Sequence, residues 1–231
     1  QQHARIETVL HFPTRGRNLL RVQGDLLAAH ALGVRNLFVV MGDPTRIGDY
    51  PDAADNYDIV PSGLVRLIKQ NLNNGQDWSG NRIGQPTNFL VSCALNLNAA
   101  DPDHEIQVLH RKLESGADYL VTQPIFQIEV YERFIERYER QYGLLSKPVV
   151  VGLMPLHSIR HAQFLHNEVA GIAIPTPIMA RIEAAGENAP QEGVRIAQEL
   201  AHQLRSKAAG LYVMPQFGRY DLAAEVVETV R

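Results

Sequence analysis

The 231-residue chain has one cysteine, one tryptophan and no apolar run near the roughly 20 residues that span a bilayer. A single thiol, Cys93, can form neither an internal disulfide nor a zinc site by itself, and a reducing, cytoplasmic setting is the default expectation. No secretory signal pattern opens the chain, which starts on Gln1-Gln2-His3 without an initiating Met, so residues upstream are expected to be missing. A formal charge of −3 gives no electrostatic case for nucleic acid, and nothing points to a membrane. Phosphate-binding turns are lacking too: neither Gly-x-Gly-x-x-Gly nor Gly-Lys-Ser/Thr occurs. There is no Gly-x-Ser-x-Gly elbow, and the nine histidines form no zincin-type pair with an acid.

What remains is an ordinary globular composition, 45% hydrophobic and 20% charged, arranged as strand and helix in alternation. Apolar or β-branched runs predict strands over Ile6–Phe12, Leu37–Met41, Asn88–Leu95, Tyr119–Thr122, Val149–Met154 and Gly210–Met214. Helical spacing fills the intervals: Asn18 to Gly33, Ser62–Asn74, Asp103–Ser115, Ile128–Tyr142, Ser158 to about Glu168, Thr176–Ala185, Gln191 to Lys207, and Leu222–Val230. Ile172-Ala173-Ile174 reads as a minor strand or a loop. Six strand–helix rounds of about 30 to 40 residues each predict a parallel sheet. Without a Gly-rich turn, a doubly wound nucleotide fold is disfavoured against a (βα)8 TIM barrel, which carries its chemistry at strand C-termini. The first two rounds would then be absent, and residues 1–231 would be one N-terminally incomplete barrel domain.

Polar residues stand near those strand ends: His11, Asp43, Asn96, Gln123 and, after the last strand, Arg219. Asp43 follows a buried strand and Gly42, where it either caps a turn or serves a site. Gln123 cannot titrate, so it is a ligand hydrogen-bonder or a satisfied core amide. Lys112 complements a helix dipole or meets a ligand anion, and Arg219 grips a carboxylate or pairs with Asp221. His157, His161 and His166 cluster without a carboxylate pattern, so no metal is expected, and Cys93 reads as a buried thiol. An acid, a His, an amide and cations without a nucleophile suit a site that binds a cofactor for the chemistry.

The order and spacing of Gly42-Asp43-Pro44-Thr45, Lys112-Leu113-Glu114-Ser115-Gly116-Ala117-Asp118-Tyr119, Thr122-Gln123-Pro124, Gly152-Leu153-Met154-Pro155-Leu156 and Phe164-Leu165-His166-Asn167-Glu168-Val169 carry a resemblance. The chain resembles the methylenetetrahydrofolate reductase family, most nearly the reductase half of bacterial proteins that join it to a homocysteine methyltransferase. The resemblance implies FAD, with NAD(P)H as electron donor, and reduction of 5,10-methylenetetrahydrofolate to 5-methyltetrahydrofolate. On the cofactor it implies contacts from His11, Thr14, Asp43, Ala94, Leu95, Glu105 and Lys112. On the substrate it implies Gln123, His161, Leu165 and Arg219, with Asp43 and Gln123 in catalytic roles. A homo-oligomer, fused to or partnered with a methyltransferase, is the corresponding expectation.

Two departures matter. Pro13 and Gly16 stand in the segment after the first strand where the family pattern differs, and Pro13 removes a backbone donor. The family's Phe-Glu-Phe-Phe-Pro strand, which brings the general-acid Glu, has no counterpart here. The alternative is therefore a non-catalytic or complex-dependent flavin- or folate-binding subunit that lacks the acid.

Overall fold

The computed structural model describes His3 and residues 5–229. Six strands alternate with helices and follow one another in the sheet in chain order. They are β1 (Val9–Pro13), β2 (Asn36–Val40), β3 (Leu90–Leu95), β4 (Tyr119–Pro124), β5 (Val149–Leu153) and β6 (Gly210–Val213). The pairs β1–β2, β2–β3 and β5–β6 are parallel, so each connection has to cross over, and the helices do this. The chain divides into two compact units, residues 1–94 with 107–120, and residues 95–106 with 121–231. Among the described residues no helix is long and apolar enough to cross a membrane.

In the first unit, α1 (Leu19–Ala31) starts where Asn18 accepts the Arg21 N–H at 2.8 Å, and it buries Val22, Leu26 and Ala29. The next helix departs from simple periodicity. It begins as α2 (Pro61–Arg66), widens to a π-helical turn over Leu67–Asn71, and tightens to a 3-10 turn over Leu72–Asn74. The wide turn carries Lys69, whose Nζ lies 2.9 Å from both oxygens of Asp118. Beyond it, Asn73 accepts from Phe89 N and the Thr87 hydroxyl and donates to Phe89 O, which fixes the entry to β3.

β1 spans Val9–Pro13 where the sequence predicts Ile6–Phe12. Pro13 has no N–H to lose from the ladder, and pairing persists past it through Thr14 N to Val40 O and Arg15 N to Met41 O. His11 consequently stands inside the strand, opposite Phe38, and not at its end.

The second unit contains the start of α3 (Pro102–Glu114), as far as Ile106, then α4 (Ile128–Tyr142), α5 (Ile159–Glu168), α6 (Thr176–Ala185), α7 (Ala189–Leu204) and α8 (Tyr220–Glu228). Ile172–Ile174 is a loop, and its two isoleucines are buried with Phe126, Met154, Leu156 and Leu165. The hydrophobic run serves packing without strand pairing. The final helix starts at Tyr220, two residues before the expected Leu222; the expected end at Val230 lies outside the described residues. α7 presents Val194, Ala197, Leu200, Ala201 and Leu204 inward and joins α6 through Arg181, which is bound by Glu192 and Glu199. Its closest approach is at Gly193, where a Cβ would stand 1.9 Å from the Leu156 carbonyl oxygen.

Two tests follow from this packing. Gly193→Ala is expected to destabilise the protein by about 2 kcal/mol or more, because backbone is the obstructing group; a urea midpoint measures it. Cys93 is fully buried in β3, and burial pushes its thiol from 9.0 up to about 12. The native thiol is therefore expected to ignore a thiol reagent at pH 8 and to react after denaturation. The raised acid favours the folded state fully below the unfolded value of 9.0, and this contribution declines as pH rises toward 12. Cys93→Ala should flatten that part of the stability profile.

Candidate functional site

Each of the two compact units carries some of the expected residues. In the first, β1 and β2 bring Thr14, Arg15 and Asp43 to one strand-end region. Arg15 Nε donates to Gly42 O at 2.9 Å, and its Nη1 pairs with Asp55 at 2.9 Å. Gly42 has φ +86°, and a Cβ there would meet Pro13 at 3.2 Å and Arg15 at 3.3 Å. The chain thus turns sharply just before Asp43, which is exposed, and among the described residues nothing donates to its carboxylate.

The other expected cofactor residues of this unit differ in access. Thr14 is fully buried, and its hydroxyl lies 3.4 Å from Met41 O and 3.3 Å from Met41 Sδ. His11 is exposed and sets its ring edge-on to Phe38, 4.8 Å between centroids. Lys112 is only 6% exposed, and its Nζ donates to Ala94 O at 2.7 Å. Its charge is delivered to the C-terminal end of β3, beside Ala94. That contact spends one of the three ammonium protons.

In the second unit, Leu95 is fully buried, so its side chain belongs to the core. Glu105 accepts the Asn96 N–H at 3.2 Å, tying the start of α3 to the residue after β3. Gln123, near the end of β4, sets one end of its carboxamide 3.1 Å from the carbonyl oxygen of Ala170 and 3.2 Å from that of Gly171; carbonyls only accept, which assigns the nitrogen to that end. Asn96 and Asn98 approach the same turn, Asn98 donating to Gly171 O at 3.4 Å. This amide cluster escaped sequence reasoning except for Asn96 and Gln123. Its sequence signal is the Asn-Leu-Asn after one strand and the glycine after a helix stop.

His161, Leu165 and Arg219 differ in their surroundings. Leu165 is buried in the apolar cluster under the 172–174 loop. Arg219 Nε and Nη2 grip Asp221 at 2.9 and 2.6 Å, so of the two expectations for it the local pair is the one found. His161 is 7% exposed, and its Nδ1 accepts the His157 N–H at 3.3 Å, which leaves the ring proton on Nε2. Among the described residues Nε2 has no hydrogen-bond partner. Burial, and then His157, hold this imidazole below its ordinary pKa. Phe217 covers both histidines edge-on, 5.7 and 5.2 Å from their centroids, at a φ of +53° unusual for a bulky residue. With Ser158, Arg160 and Phe164 they line an open cleft of about 420 Å³. Sequence spacing marked the histidines, but not Phe217.

The family described as methylenetetrahydrofolate reductase matches residues 1–228. Among curated relatives, methylenetetrahydrofolate reductase 2 of Schizosaccharomyces pombe is 26% identical over 188 residues, 80% of this chain and 28% of that protein. Methylenetetrahydrofolate reductase (NADH) 1 of Zea mays is 23% identical over 214 residues, 86% of this chain and 34% of that protein. The chain thus spans about a third or less of the length of these relatives. Among solved structures, an uncharacterized protein from Clostridium thermocellum that binds two copies of 5-methyl-5,6,7,8-tetrahydrofolic acid superposes with a TM-score of 0.62 at 14% identity. The superposition covers 99% of this chain and 73% of that one, and it speaks for the fold alone. On the match over residues 1–228, the chain belongs to the methylenetetrahydrofolate reductase family.

Proposed function

We propose that the protein is a flavin-dependent reductase that converts 5,10-methylenetetrahydrofolate to 5-methyltetrahydrofolate with electrons from NAD(P)H, acting in the cytoplasm as a single barrel domain of a homo-oligomer. The observation that carries this reading is Asp43: an exposed carboxylate with no donor among the described residues, set by the Gly42 turn just past β2. The donor set fits FAD. Asp43 offers an acceptor to the N–H edge of an isoalloxazine, Lys112 brings a cation to Ala94, and His11 offers an exposed imidazole. When bound, FAD supplies hydride transfer. Asp43 holds negative charge where the folate carries an iminium cation, lowering the energy of that form. Gln123 orients the pterin by hydrogen bonding, and Glu105 with Lys112 would serve the adenosine and pyrophosphate end.

The proton needed to open the folate ring comes, on this reading, from a glutamic acid on a further strand. The exposure of Val9 (44%) and Leu10 on β1, first in the sheet order, and of Ile6 (66%) just before it, supports pairing with such a strand, from this polypeptide or from a partner such as a methyltransferase-linked segment. The same exposed edge also favours the second reading, a flavin- or folate-binding subunit that acts only in a complex.

Anaerobic spectroscopy of the native full-length protein separates the two. An enzyme is yellow, is bleached by NAD(P)H and recovers its colour with methylenetetrahydrofolate; a binding subunit keeps flavin or folate without that cycle. Asp43→Asn is expected to slow the recovery by about 100-fold while flavin content changes little. Loss of flavin with unchanged turnover per remaining flavin would reject the role given to Asp43, and a protein that takes up no FAD would reject the flavoenzyme.

A further inference from the structure

Gln123 is held more tightly than a side chain free to choose its ligand. Its main chain is fixed from below: the Thr122 hydroxyl donates to Gln123 O at 2.7 Å and accepts the Gly152 N–H at 2.9 Å. Gly152 lies so close that a Cβ would stand 3.0 Å from the Gln123 carbonyl. Its side chain is fixed from the turn after α5. A carboxamide nitrogen has two hydrogens, and the carbonyls of Ala170 and Gly171 accept from that nitrogen at 3.1 and 3.2 Å. Carbonyl oxygens only accept, so the amide cannot present its oxygen to them. Oε1 is thereby turned away from the clamp, on a residue that is partly exposed.

The turn can approach this closely only because residue 171 is glycine. Its φ is +82°, and a Cβ would meet the Gln123 carboxamide at 2.3 Å and the Asn96 carboxamide at 2.7 Å. The turn is anchored on both sides. Ile172 N bonds to Val169 O at 3.2 Å, Ile174 N bonds to His166 Nδ1 at 3.0 Å, and both isoleucines are buried.

We propose that the Ala170–Gly171 turn is a positioning element that consumes both N–H groups of Gln123 and leaves it an obligate hydrogen-bond acceptor toward the ligand. Resting on the assignment of Gln123 to the folate, this fixes which part of the pterin it reads. A reduced pterin offers donors at its 2-amino group, N3 and N8, and an acceptor at O4; Gln123 takes a donor and rejects the carbonyl edge. Gly171 is the residue that makes this specificity possible.

The test is a comparison of dissociation constants, by calorimetry on the full-length protein, for 5-methyltetrahydrofolate and for analogues in which the 2-amino group, N3–H or N8–H is replaced by a group that cannot donate. The wild type is expected to bind at least one analogue 10-fold or more weakly than the parent. That preference should fall to about unity in Gly171→Ala, which forces the turn off the amide. It should also fall in Gln123→Met, which removes the acceptor from the ligand and keeps a side chain of similar length without a charge facing the two carbonyls. Asn98→Ala, which removes only the neighbouring bond to Gly171 O, should keep it. Equal binding of the parent and all three analogues by the wild type, or a preference that survives in both variants, overturns the positioning role while leaving the folate assignment in place. Absence of folate binding to the wild type overturns both.

Discussion

One carboxylate in the first unit joins a helix to the starts of two neighbouring strands. Asp118 stands just before β4, accepts the Val91 N–H at 2.8 Å and receives Lys69 Nζ on both oxygens. Its own N–H donates to Val91 O at 2.8 Å, so the same residue closes the first rung toward β3 and neutralises a helix cation. Both side chains are about a quarter exposed, which keeps the pair from carrying the full cost of a dry ion pair. The geometry makes demands on the helix. Lys69 reaches Asp118 from the π-helical turn, and a Cβ at Gly116 would stand 3.1 Å from the Lys69 Cβ, so the loop before β4 has to be small where the helix passes.

The second unit meets the same requirement with main chain where the first uses charge. Gly193 lets α7 lie against the Leu156 carbonyl, and Gly171 lets a turn reach the amides of Asn96 and Gln123. Each contact brings backbone polar groups and packing into one place, so a methyl group is enough to disturb it. The apolar counterpart is the 172–174 loop, whose isoleucines fill the space beneath α5 and α6 in place of a strand. Buried hydrophobic residues locate this segment, and satisfied backbone groups give it its shape.

The legibility of the sequence follows the range of the forces involved. Alternation of strand and helix is written in local periodicity, and six strands in sequential order are found where six runs of apolar residues stand. What periodicity misses is set by contacts distant in sequence. The π-helical turn answers to Asp118, 49 residues from Lys69. The shift of β1 to Val9–Pro13 answers to β2, which continues to pair past a proline that looks like a strand stop. Site residues follow the same division. Asp43 sits where its Gly-Asp-Pro context places it. Thr14 and Leu95 lie at suitable strand positions yet point into the core, because alternation along a strand sets the face, and a motif alone does not.

The charge pattern of the described residues also bears on what the strand ends can do. Arg15 is paired with Asp55, Lys69 with Asp118, Arg181 with Glu192 and Glu199, and Arg219 with Asp221. These four cations thus have acids of their own, and these acids are spent on structure. Asp43 is placed differently: it follows a turn whose glycine brings the backbone close to Pro13 and Arg15, and Arg15 directs its guanidinium to Gly42 O and Asp55. A neighbouring cation that pairs elsewhere leaves the Asp43 carboxylate able to accept from a ligand without first breaking an ion pair. That costs less than recruiting a paired acid, since separating a partly buried pair exposes two charges to be resolvated. On the proposed reading, the pairing of Arg15 with Asp55 is therefore what leaves Asp43 available to a ligand.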